Sequence, residues 1–96
     1  MRLEFTPEAE ADIDGAMLWY FEEDPELAAR FSVELEQVLD RVLENPRAWT
    51  EIEPGIRRAL LRKFPYAIIY RVRADVVQIA TVTHQHREPG HWRKRG

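Results

Sequence analysis

Three prolines in the first half of this chain leave few choices of fold: Pro7, Pro25 and Pro46, each preceded by a residue that starts or stops a helix. Proline lacks the N–H that an inner helical turn needs, but its fixed φ suits the first helical position, and Thr6 and Asp24 are good N-caps for the segments after them. One helix is therefore predicted to begin near Pro7 and a second near Pro25, with Asn45-Pro46 ending the second. In helical projection Ala9, Ile13, Ala16, Met17, Tyr20 and Phe21 fall within an arc of about 140°, with Asp12 and Glu22 outside it. Leu27, Phe31, Leu35, Val38, Leu39, Val42 and Leu43 span about 160°, opposite Glu26, Arg30, Glu36, Asp40, Arg41 and Glu44. Two amphipathic helices joined by a residue or two form an antiparallel hairpin, here about residues 7–45, whose apolar faces need a third surface to cover them.

The second half supplies that surface. Ile56 to Phe64, Tyr66 to Arg73 and Val76 to Thr83 are rich in β-branched and aromatic residues, and Arg2 to Phe5 alternates as a short half-buried strand does. Ala74-Asp75 marks a tight hairpin turn, and Pro65 marks a corner where a missing N–H costs little. Trp49 and Pro54-Gly55 are assigned to a loop before the first long strand. Tyr66, Ile68, Tyr70 and Val72 share one face of their strand, and Ala67, Ile69, Arg71 and Arg73 share the other. The expected fold is α+β, in the order β-α-α-β-β-β: a helical hairpin packed on one face of a mostly antiparallel four-stranded sheet. With 96 residues, this is a single domain over 1–96, its sheet and basic tail beginning about residue 56.

The net charge of -3 conceals a division along the chain. Residues 1–54 carry fifteen Asp or Glu against four Arg, whereas residues 55–96 carry ten Arg or Lys against two acids. The basic residues cluster on and beyond the strands: Arg57, Arg58, Arg62 and Lys63, then Arg71 and Arg73, then His84, His86, Arg87 and Arg93. So dense a set of guanidinium groups suits an anionic partner, whether RNA, DNA or an acidic protein segment; the alternative is that the arginines solubilise the surface and pair with the acidic helices. The chain has no cysteine, which excludes disulfides and thiolate chemistry and suits a reducing cytoplasm. No apolar run approaches the length needed to cross a bilayer, so no membrane association is expected.

His84 and His86 lie two apart and would share one side of an extended strand, but without cysteine and with only Glu88 nearby a metal site is disfavoured. Either histidine is able to act as a general acid or base beside arginines, or simply to cap the sheet end. Trp92 lies among arginines, where an indole stacks on a base or pins the tail. Trp19 projects off the apolar face of its helix, and Trp49 sits in a loop; both are candidate partner contacts. Paired carboxylates, a Gly-rich phosphate loop and Ser/His/Asp spacing are absent from the sequence, and no cofactor is expected.

The run Leu61-Arg62-Lys63-Phe64-Pro65-Tyr66-Ala67-Ile68-Ile69-Tyr70-Arg71-Val72 and the ending His84-Gln85-His86-Arg87-Glu88-Pro89-Gly90-His91-Trp92 resemble the RelE/ParE toxin superfamily over nearly the whole length. The resemblance implies the toxin of a type II toxin–antitoxin pair, of the plasmid-stabilisation kind, neutralised by a cognate antitoxin that folds across its surface. It also implies one of two modes of growth inhibition. RelE-like members are ribosome-dependent mRNA endonucleases that need no metal; there Arg62 and Arg87 (or His86) match the basic positions, and Trp92 stands where many nucleases have a tyrosine. An indole N–H does not exchange protons as a phenol does, so acid catalysis would fall to His84 or His86. ParE-like members bind and poison DNA gyrase without chemistry of their own, and this branch is favoured here.

Overall fold

The computed structural model describes residues 1–85. Its elements are β1 (Arg2–Phe5), α1 (Pro7–Glu23), α2 (Pro25–Glu44), β2 (Thr50–Glu53), β3 (Ile56–Leu60), β4 (Tyr66–Arg73) and β5 (Val76–His84). The expected α+β class holds, with one strand more than the sequence suggested. The sheet has five strands in the order β1-β5-β4-β3-β2. Its pairs are antiparallel except β1 with β5, which is parallel.

Both helices begin where the prolines place them. Thr6 accepts a hydrogen bond from the Ala9 N–H at 3.0 Å and donates its hydroxyl to the Ala80 carbonyl at 2.8 Å, so one side chain starts α1 and ties it to β5. Asp24 serves both helices: its N–H closes α1 onto the Tyr20 carbonyl at 2.8 Å, and its side chain accepts from the Glu26 N–H at 2.9 Å. A single extended residue thus makes the turn of the hairpin.

The core lies between the hairpin and one sheet face. Ala9, Ala16, Tyr20, Phe31, Val38 and Val42 from the helices meet Ile68, Tyr70, Val77, Ile79 and Val82 from the strands, all of them buried. At one end Tyr20, Phe31, Phe64 and Tyr66 form an aromatic cluster with ring centroids 5.0–6.2 Å apart, mostly edge to face. Each such pair contributes roughly 0.5–1.5 kcal/mol beyond its buried area. At the other end the buried Tyr70 hydroxyl donates to the Pro46 carbonyl at 2.6 Å, fastening the chain just beyond α2 to the central strand.

The extra strand, β2, occupies part of the region read as loop. Pro54-Gly55 is the two-residue turn of a β2–β3 hairpin, with Gly55 at φ 78°, the positive φ that the third position of a type II turn requires. The first long strand is also shorter than expected. β3 stops at Leu60, and Arg62 and Lys63 stand on a corner between β3 and β4, because their N–H groups turn to the Glu34 carboxylate on α2 instead of a neighbouring strand. Phe21, assigned to the buried arc of α1, is 57% exposed. The stripe that reaches the core is narrower than the apolar arc, running through Ala9, Ala16 and Tyr20 with Ile13 and Met17 beside it.

The β4–β5 pairing shifts register between Ile69 and Tyr70, which face Thr81 and Ile79, leaving Ala80 as the bulged residue. This changes the alternation along β5. Val77 and Ile79 belong to the core before the bulge and Val82 after it.

Candidate functional site

Two grooves flank the turn end of the hairpin, and consecutive residues of the β3–β4 corner line both. The first lies beside α1 and has a volume of about 540 Å³; Asp12, Gly15, Trp19, Tyr66, Val82 and His84 are among its walls. Trp19 is 59% exposed and stands edge-on to Tyr20 at 5.3 Å. Leu18 and Phe21 are also exposed, so the last turns of α1 leave three large apolar side chains at the surface. His84 is half-buried, with its ring 5.2 Å from that of Tyr66 and nearly perpendicular to it.

The second groove, of about 780 Å³, lies beside α2. Its charged margin combines the Glu26–Arg30 ion pair and Arg41 on the helix with Arg62 and Lys63 on the corner, and Val33 supplies an exposed apolar wall. Glu34 is its buried acid. The carboxylate accepts from the Arg62 N–H and from the Lys63 N–H, the latter at 3.0 and 3.2 Å. Because the backbone is held inward, both side chains are left exposed.

The sheet face away from the helices carries a third basic group. Arg58 pairs in register with Ile69, and Arg71 and Arg73 follow at the same alternation on β4. Arg71 donates from Nε to the Gln78 side chain at 2.7 Å. Leu60, 41% exposed, lies on the same face. Arg57 is set apart from them. It sits opposite Tyr70 on the helix-covered face, half-buried, and donates to the Trp49 carbonyl at 2.7 Å. Trp49 itself packs half-buried against the core.

Burial pushes the Tyr70 phenol up to about 12, with the nearby Arg57 guanidinium opposing that rise. Tyr20 is also raised, first by burial and then by the neighbouring Tyr66. Both phenols therefore stay protonated well above neutral pH and act as packing and hydrogen-bonding groups.

The structure thus gathers Trp19 with His84 in one groove and Arg62 with Lys63 in the other, and sets Arg58, Arg71 and Arg73 on the sheet face away from the helices. His86, Arg87, Trp92 and Arg93 lie outside the described residues. Among the described residues no group of three His, Asp or Glu side chains is placed to hold a metal ion, and no helix is long and apolar enough to cross a membrane. The sequence reading missed Glu34 and Asp12, the two carboxylates that fasten helices to the sheet. For Glu34 a signal was present: an acid between Phe31 and Leu35, next to the most apolar stripe of the helix, needs a polar partner in the fold.

A two-helix hairpin on a five-stranded sheet is shared with a solved protein described as "Chromosomal ParDE TA system from P. aeruginosa". The two are 25% identical, the match covers 88% of this chain and 95% of the other, and the TM-score is 0.75. The family described as "ParE toxin of type II toxin-antitoxin system, parDE" matches residues 3–89. The chain belongs to the ParE toxin family. Among curated proteins no significant match was found.

Proposed function

We propose that this protein is the toxin of a type II toxin–antitoxin pair, acting in the cytoplasm by binding DNA gyrase and silenced by a small cognate antitoxin. The observation that carries this reading is the match to the ParE family over residues 3–89, which reaches into every element of the fold. The arrangement of the described side chains agrees with a protein that works by contact. Its exposed features include the apolar side chains of Leu18, Trp19 and Phe21 and separate groups of cations, the composition of a surface that grips another macromolecule.

The test sets two assays side by side on the purified chain. Inhibition of supercoiling by gyrase, with ribosome-bound mRNA left intact, is the expected result. Cutting of mRNA in the ribosomal A site, lost in Arg62→Ala or Arg87→Ala, would replace it with the endonuclease reading. One observation favours that second reading: the half-buried His84, its ring against Tyr66, lines a groove, which puts an imidazole at the wall of a candidate site.

A further inference from the structure

We propose that the groove beside α1 is the seat of this chain's own C-terminal segment, residues 86–96, which folds back along the helix. Helix α1 carries Glu8, Glu10, Asp12, Asp14, Glu22 and Glu23 and has no Arg or Lys. Spacings of four and three residues place Glu8, Asp12, Gly15, Trp19 and Glu22 on a single stripe of the helix. Asp12, Gly15 and Trp19 of that stripe line the groove, and Tyr20, Tyr66 and His84 stand across from or beside them; no arginine or lysine is among the described lining residues. An acidic margin with aromatic walls repels phosphate and suits cationic and indole side chains.

Gly15 adds an independent observation. Glycine inside a helix weakens it relative to alanine. Among the described residues a methyl group at Gly15 would meet nothing within 4 Å, so the packing of the described fold does not call for a glycine there. Its missing side chain leaves open space over the helix backbone between Asp12 and the 59% exposed Trp19, room for a bulky ring to approach.

The chain delivers suitable side chains to this place. Its last described residues form one wall: His84 lines the groove, and the Gln85 N–H donates at 2.7 Å to the carbonyl of Pro65, another lining residue. The eleven residues that follow carry Arg87, Arg93, Lys94 and Arg95 against Glu88 alone, and Trp92 directly precedes the last three cations. Fully extended they reach about 36 Å, whereas the stripe from Glu8 to Glu22 is about 21 Å long. So short a tether holds the segment at an effective concentration on the order of millimolar, and weak contacts then suffice. The inference does not depend on the toxin reading.

The chain has no cysteine, so Gly96→Cys takes a nitroxide spin label at one place on the isotopically labelled protein. The amides of Asp12, Gly15 and Trp19 and the Trp19 indole are expected to lose most of their signal to the label, while Val33, Gln37 and Arg41 keep theirs. Raising the salt should restore the lost signals in part, and so should Trp92→Ala. Arg93→Glu, Lys94→Glu and Arg95→Glu together should restore them fully, because the segment is then repelled by α1. Losses that persist unchanged in the charge-reversed chain or in Trp92→Ala overturn the proposal. So do losses centred on Val33, Gln37 and Arg41, or losses caused by a spin label carried on a separate molecule, which would make the occupant a second copy.

Discussion

Asp12 and Glu34 fasten the two helices to the sheet by the same chemistry in different settings. Asp12, on α1, accepts from the Thr81 hydroxyl and from the Val82 N–H at 3.0 Å. Glu34, on α2, accepts from the N–H groups of Arg62 and Lys63. Val82 already belongs to a strand paired with β4, opposite Ile68, so Asp12 reinforces a segment that the ladder and the core also hold. Arg62 and Lys63 lie between strands, and Glu34 takes the place of the ladder they lack. The first carboxylate stabilises; the second also shapes a surface.

That contrast predicts an order of effects. Glu34→Ala should be the costliest, about 3 kcal/mol by chemical denaturation, since it removes charge-assisted hydrogen bonds and leaves two N–H groups without their partner. The Arg62 and Lys63 amides should then lose protection from hydrogen exchange; if they keep it, the corner is held by something else. Tyr70 offers a neutral anchor for comparison. Its phenol is raised from 10 to about 12 in the folded chain, so the unfolded chain loses its proton first as pH rises. The stabilisation is complete below about pH 10 and is lost progressively towards pH 12, by roughly 2–3 kcal/mol. Tyr70→Phe should flatten that alkaline decline.

Asp12→Ala is expected to cost about 2 kcal/mol, less than Glu34→Ala because β4 still pairs with the freed strand. A larger loss than at Glu34 would reverse the ranking. The smallest effect has the opposite sign. Ala74, in the β4–β5 turn, sits at φ 51°, where glycine is the better fit, and Ala74→Gly should stabilise by about 0.5–1 kcal/mol while leaving both carboxylate anchors unchanged. Thermal denaturation of the single and combined variants would show additivity between such distant sites.

The helices were legible because their signals are local. Thr6, Asp24, Pro7, Pro25 and Pro46 set the boundaries within a residue or two. β2 was not, since Thr-Glu-Ile-Glu is short and its pairing with β3 is irregular between Glu51 and Glu53, which blurs a period of two. The sequence marks Arg62 and Lys63 as basic candidates, but its apolar pattern puts them on a strand. What moves them to a corner is a carboxylate 28 residues earlier, and hydropathy periodicity carries no information about so distant a partner. The groove beside α2 was hidden for the same reason, because Arg41 and the corner meet only in three dimensions. Trp19 could be read directly: an indole off the apolar face of a helix remains at the surface.

The parallel pairing of β1 with β5 has a bearing on how the protein is made. Arg2 lies opposite Val76 and Phe5 opposite Ile79, so the second residue finds its partner only after more than seventy others have been synthesised. β5 also supplies one flank of the central strand β4. A nascent chain that has not reached Val76 can form its helices and the β2–β3 hairpin but cannot complete the sheet on which they pack, because contacts this distant in sequence form late. The last described strand therefore acts as a closing step, and an incomplete translation product lacks the assembled surface that the finished protein presents.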